Sequence, residues 1–217
     1  QIPVSYKPMQ ISVQIPQNGM LTAESLKSVF ITTQNTMGVF VKTKLAVRMF
    51  KLASPDRLIR ERYWDQPDQF IIDWREYQSL FPNDEYNNES QKESWERKEK
   101  VFEKTDSTKA DGTFGFGQTK FTEGWYVIEA TSYDQDGNEV KDQAYVELVN
   151  SKTMAPVSPA YVWNLPSTQT TEPGQTATIS IGSSANDVTI IQQGMDKNLQ
   201  YHKLNNNVKI TSQVIKE

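Results

Sequence analysis

Apolar and polar residues alternate along most of this chain, and a period of two is the signature of strands with one face buried. Ile11, Val13 and Ile15 alternate with polar neighbours up to Pro16, and a β-branched and aromatic run covers 28–33. Over 44–52, Leu45, Val47 and Met49 fall on one face, with Ala46, Arg48 and Phe50 on the other. Two more strands, 125–133 and 143–149, flank 134–138, whose Asp136-Gly137 step tolerates the positive φ of a tight hairpin. Short strands separated by Gly, Pro, Asn and Asp predict one antiparallel sandwich over about 11–149. Leu45, Val47, Val127, Ile128, Val146 and Leu148 are expected among its buried residues.

One stretch breaks this rhythm. Over 53–108 the chain turns polar, charged and aromatic, longer than an ordinary loop between strands. Asp73 followed by Glu76 fits a capping box, Trp74, Tyr77 and Phe81 recur at helical spacing, and Pro82 supplies a stop. Pro67 and Pro82 bracket this helix, and its aromatic stripe is expected to pack on the sandwich. The charged, glycine-free run 91–104 fits either a helix or a disordered segment. A linker is expected at 153–166, with Pro156, Pro159 and Pro166, and beyond it new strands at 176–181, 187–192, 199–204 and 208–215. Those are too few for a whole sandwich of roughly seven strands, so the second domain, 167–217, is expected to be cut short at Glu217.

Composition narrows the function. Of 217 residues, 36% are hydrophobic, which sustains a packed core over most of the length. The net charge is −4 with both signs interspersed, so there is no basic stripe for nucleic acid. No apolar run approaches the roughly 18 residues of a membrane helix, so no membrane span is expected. Cysteine is absent, which removes disulfides, thiol nucleophiles and Cys-type zinc sites, and no cofactor is expected. The chain begins at Gln1 rather than Met, as a processed or cut product would.

Catalytic and metal patterns fail residue by residue. His202 is the single histidine, so no HExxH or multi-histidine metal site can form, and no Gly-x-Ser-x-Gly elbow accompanies it. It is expected to be an exposed strand residue. Gly115-Phe116-Gly117 lacks the third glycine of a dinucleotide loop and is expected in a strand or bulge. Asp134, Asp136 and Asn138 occupy positions 1, 3 and 5 of a calcium loop, but glycine falls at position 4 and Tyr145 at position 12, which favours the hairpin. The acidic run 83–89 is interrupted by Tyr86, and Asn88-Glu89-Ser90 is a glycosylation sequon with meaning only in a eukaryotic secretory context. No catalytic, cofactor-binding or metal residue is therefore assigned. What remains is an aromatic group in the excursion: Trp64, Phe70, Trp74, Tyr77, Phe81 and Tyr86, with Tyr63 and Trp95 nearby. Such a cluster forms either a sugar or partner surface or the small satellite core that holds a 50-residue insertion together.

Several segments resemble those of the α2-macroglobulin family. The run 26–52 (LKSVFITTQNTMGVFVKTKLAVRMFKL) resembles the opening strands of a macroglobulin domain, and 124–130 with 133–137 resembles its closing hairpin. Leu80-Phe81-Pro82-Asn83-Asp84-Glu85-Tyr86 is similar to an insertion in α2-macroglobulin-like proteins of Bacteroidetes-type bacteria. Glu172-Pro173-Gly174-Gln175-Thr176-Ala177, then 181–185 and 187–188, resemble the start of the next macroglobulin domain. The resemblance implies an all-β, immunoglobulin-like antiparallel sandwich over 1–152 with a partly helical insertion at 53–108, then a truncated second sandwich. It also implies non-catalytic scaffold of a broad-spectrum protease trap, secreted or in the bacterial cell envelope, with other domains of the parent chain as partners. In such proteins a bait region is cut, the molecule changes shape, and many members carry a Cys-Gly-Glu-Gln thioester. None of that chemistry is encoded here, so target proteases would be met through regions outside these residues and this piece would be monomeric. The competing reading is an immunoglobulin-like adhesion or glycan-binding module that uses the aromatic excursion.

Overall fold

The computed structural model describes residues 9–15, 20–66, 68–150, 152, 156–166, 177–193, 199–204 and 210–214. The expected breaks at Pro16 and Pro67, the family-like residues 172–176 and the side chain of His202 lie outside them. Two compact units are formed, Gln1–Ala53 with Glu96–Thr153, and Ser54–Trp95 with Met154–Glu217.

The first unit is a two-layered β-sandwich. One layer holds β1 (Met9–Gln14), β3 (Ser28–Asn35) and β6 (Thr113–Gly115), with β3 in the centre. The other runs in the order β2-β8-β7-β4-β5, with β2 at Met20–Thr22, β4 at Lys44–Leu52, β5 at Arg97–Ser107, β7 at Gly124–Tyr133 and β8 at Glu139–Val149. All pairings in both layers are antiparallel except the short edge strand β2, which runs parallel to β8. The alternation in the sequence sets the layers face to face. Met9, Ile11 and Val13 of β1 and Val29 and Ile31 of β3 meet Leu45, Val47 and Met49 of β4 and Tyr126, Ile128 and Ala130 of β7 in one core. Each such aliphatic side chain, fully buried, stabilises the fold by about 1.5–3 kcal/mol relative to leaving it in water. All six residues expected to be buried are buried, none more than 1% exposed.

The hairpin between β7 and β8 turns through 134–138 as expected. Gly137 has φ 81°, the Asp134 amide donates to the Asn138 carbonyl at 3.0 Å, and Tyr133 pairs with Glu139. The run at 91–104, expected to be helical or disordered, contributes most of β5, so the excursion closes at about Trp95 rather than Thr108. Its period-two signal is weak because β5 is an edge strand whose faces are mostly charged, a pattern that also deters pairing with other chains. Gly115 lies in β6, while Gly117 has φ 66° just beyond it.

In the second unit, β9 (Trp163–Pro166) lies within the expected linker and forms an edge of the sheet β13-β10-β9, with β10 at Ala177–Gly182 and β13 at Ile210–Val214. A separate hairpin joins β11 (Val188–Gln193) to β12 (Leu199–Leu204), where His202 stands opposite Ile190. Across the β9–β10 register, Trp163 faces Gly182, and a Cβ on Gly182 would fall 2.1 Å from the indole Cζ2. Glycine is there because the indole occupies the space. Among the described residues no helix is long and apolar enough to cross a membrane.

Candidate functional site

The excursion, Ser54–Trp95 within the second unit, brings five of the six expected aromatic residues together, Trp74 excepted, and adds a polar frame that the sequence did not disclose. Its helix α1 (Trp74–Leu80) starts where the capping box predicts, with Asp73 Oδ1 accepting from the amides of Arg75 at 2.8 Å and Glu76 at 3.1 Å. The helix does not end at Pro82 itself. Phe81 is the C-cap, and its amide donates to the Tyr77 carbonyl at 2.8 Å.

The expected burial of the helical stripe is not met. No residue of α1 is buried, and Trp74 and Phe81 are 46% and 45% exposed. Their neighbour Tyr77 finds its apolar contacts inside the excursion instead. Its ring lies 5.1 Å from both Phe81 and Tyr86, and Tyr86 stacks on Phe70 at 4.2 Å. The Tyr86 hydroxyl donates to the Ile72 carbonyl at 2.8 Å, which ties the coil before the helix to the loop after it. Two turns of helix with local aromatic partners need no sheet face to cover them. Of the six aromatic residues singled out, Phe70, Tyr77, Phe81 and Tyr86 thus form one connected cluster, and Trp64 lies beside it on a cleft that Tyr77 also lines.

Three arginines on one short segment organise the loop 82–90. Arg57 donates to the Pro82 carbonyl at 2.9 Å and sits 3.7 Å from Glu89. Arg60 forks onto Asp84 Oδ1 with Nε at 3.1 Å and Nη2 at 2.6 Å, and its own amide donates to the Asn83 carbonyl. Hydrogen bonding to Asp84, then the opposite charge, holds the Arg60 guanidinium more firmly in its charged form. Arg62, whose side chain is 8% exposed, donates to the carbonyls of Tyr86 and Asn87 and faces the buried Glu85 at 3.9 Å. Glu85 also accepts from the Ser90 amide and hydroxyl, and Glu89 from the amides of Tyr86 and Asn87. The carboxylates of Asp84, Glu85 and Glu89 thus accept from the chain's own donors. Among the described residues, however, Glu89 Oε1 is buried without a hydrogen-bond partner, and no group of three or more His, Asp and Glu is placed to hold a metal ion.

The arrangement leaves a cleft of about 200 Å³, lined by Arg60, Glu61, Arg62, Tyr63, Trp64, Tyr77, Asp84 and Glu85. Tyr63 is 93% exposed and Trp64 63% exposed. The arginine frame escaped sequence reasoning because Arg57, Arg60 and Arg62 lie about 24 positions before their partners, and only the spacing of three arginines in six residues hinted at it.

No family model matches the chain, and no curated protein matches it. Among solved structures, it is similar at 10% identity and a TM-score of 0.38 to the native conformation of E. coli α2-macroglobulin. That alignment covers 97% of this chain and 15% of that one, so the chain spans less than a sixth of its neighbour's length.

Proposed function

We propose that this chain is non-catalytic scaffold from an α2-macroglobulin-like protease trap, secreted or held in a bacterial cell envelope, with 167–217 opening a second macroglobulin-type domain. One observation carries the reading: the segments that resemble macroglobulin strands in sequence, 26–52 and 124–137, make β3, β4, β7 and the β7–β8 turn around the centre of the sandwich. Residues that resemble a family's framework and also build the core are doing a framework's work. The absence of cysteine means that no thiol or thioester chemistry is supplied by these residues, as expected of a scaffold piece. In this reading the Bacteroidetes-type insertion is the excursion, and the partners are the parent's other domains and the proteases it captures elsewhere.

The test is made on the parent protein. Mixed with elastase or trypsin, it should suppress cleavage of casein while sparing cleavage of a short chromogenic peptide, and small-angle scattering should record a change of shape after the cut. If both substrates are cleaved at the uninhibited rate and the scattering is unchanged, the proposal is wrong.

A further inference from the structure

The cleft beside Tyr63 and Trp64 has features that a framework does not require. We infer that it binds a neutral saccharide, with the sugar ring stacked on the exposed aromatic pair and its hydroxyls read by Arg60 and Asp84. This inference is independent of the scaffold proposal, since either can hold without the other.

Size comes first. At about 200 Å³ the cleft is smaller than the roughly 300 Å³ at which sites for drug-sized ligands begin, so it seats a single ring with the rest of the ligand outside. The second argument is exposure. Tyr63 and Trp64 stand outside the stacked cluster that holds the excursion together, and they keep 93% and 63% of their surface in water. Large amphipathic rings presented in this way supply contact area with few rotors to freeze.

Charge then selects the ligand. Arg60 and Asp84 form a close pair, Arg62 faces Glu85, and Glu61 adds a third carboxylate, so both arginines are matched and the lining carries no excess of positive charge. An anion would have to break these pairs, and a wholly apolar ligand would strip water from them without replacing its hydrogen bonds. A sugar ring has an apolar C–H face and a rim of hydroxyls that each donate and accept. Arg60 commits Nε and Nη2 to Asp84, which leaves Nη1 donors next to a carboxylate acceptor, side by side as neighbouring hydroxyls require.

The experiment uses the 217-residue chain with maltotriose, cellotriose, mannotriose, xylotriose and N,N′,N″-triacetylchitotriose in isothermal titration calorimetry, and dextran sulfate as a charged comparison. At least one neutral trisaccharide should give saturable binding that is insensitive to salt. Trp64→Ala and Tyr63→Ala should each weaken it about tenfold, near the upper end for one aromatic stack. Because both side chains are exposed, neither substitution should shift the melting temperature, which separates a binding role from a structural one. Arg60→Lys should weaken binding as well, since a lysine lacks the fork. The inference is overturned if none of the five trisaccharides binds, if Trp64→Ala leaves the affinity unchanged, or if dextran sulfate alone binds and salt abolishes it.

Discussion

At the scale of single residues, two positions show how local geometry fixes what the chain tolerates. Gly182 has no room for a methyl group, because the Trp163 indole lies within 2.1 to 2.7 Å of where a Cβ would stand. Gly182→Ala should cost about 1–3 kcal/mol, the usual range for forcing extra volume into a packed site. In a Trp163→Ala background the same change should cost little, and urea unfolding of the four proteins in the cycle checks this. Asp134 is the second case. Desolvation raises its carboxyl pKa, but hydrogen bonds from the Asn138 amide and side chain and from the Asp136 and Gly137 amides outweigh this and hold it below the usual carboxylate range. A depressed folded-state pKa contributes stability above the unfolded value, about 3.9, and loses it as pH falls through the folded value. The stability gap between wild type and Asp134→Ala should therefore be open at pH 7 and close towards pH 2. Thermal melts across that range test it, and a gap that widens in acid would refute the role given to the carboxylate. Both Asp134 oxygens serve the turn, Oδ1 accepting from the Asp136 and Asn138 amides and Oδ2 from the Asn138 side chain.

At the scale of elements, the excursion and the sandwich are stabilised differently. β7 lies between β8 and β4, and Tyr126, Ile128 and Ala130 on its inner face are each no more than 1% exposed. Ile128→Ala should cost about 2–5 kcal/mol by cavity formation, read as a lowered urea midpoint at unchanged m. The excursion has no such core, since α1 buries no residue, so it leans on arginines that satisfy loop carbonyls. Arg62→Ala removes the charge facing Glu85 and the donors to Tyr86 and Asn87. Glu85 keeps Ser90, and the pair is long at 3.9 Å, so the cost should sit at the low end for a broken buried pair, about 3 kcal/mol. Hydrogen exchange should quicken at the amides of 84–95 while those of β7 stay protected. Uniform loss of protection across both would mean the frame is not a local device. Arg62→Lys should not restore it, because one ammonium cannot reach two carbonyls and a carboxylate in the arginine's planar geometry.

At the scale of the whole molecule, the scaffold reading makes a claim about the purified chain by itself. It should neither hydrolyse protein substrates nor inhibit trypsin-like or elastase-like proteases in stoichiometric titrations. Slow, tight inhibition at one equivalent would move the inhibitory function into these residues. The sandwich is built from strands far apart in the chain, with β1 beside β3, β3 beside β6, and β5 returning to β4 across the whole excursion. The excursion segment Ser54–Trp95 belongs to one compact unit with Met154–Glu217, an association between stretches about 60 residues apart.

Sequence alone determined what depends on near neighbours. The inward faces of β1 and β4 were legible because side chains in a strand alternate and a core accepts only apolar ones, whereas β7 and the end of β8 are buried on both faces and do not alternate. The turn at 134–138 and the cap at Asp73 were legible because their hydrogen bonds close within a few residues. Tertiary structure decided whatever depends on distant partners. β5 could not be recognised in 91–104, since an edge strand is held by its backbone pairing with β4 and its side chains answer to water. β9 was hidden among prolines because four residues become a strand only when β10 lies beside them. Nor could Trp74, Tyr77 and Phe81 reveal their own surroundings. Helical spacing shows that a face is aromatic, and whether that face is buried depends on which surface the rest of the chain folds against it.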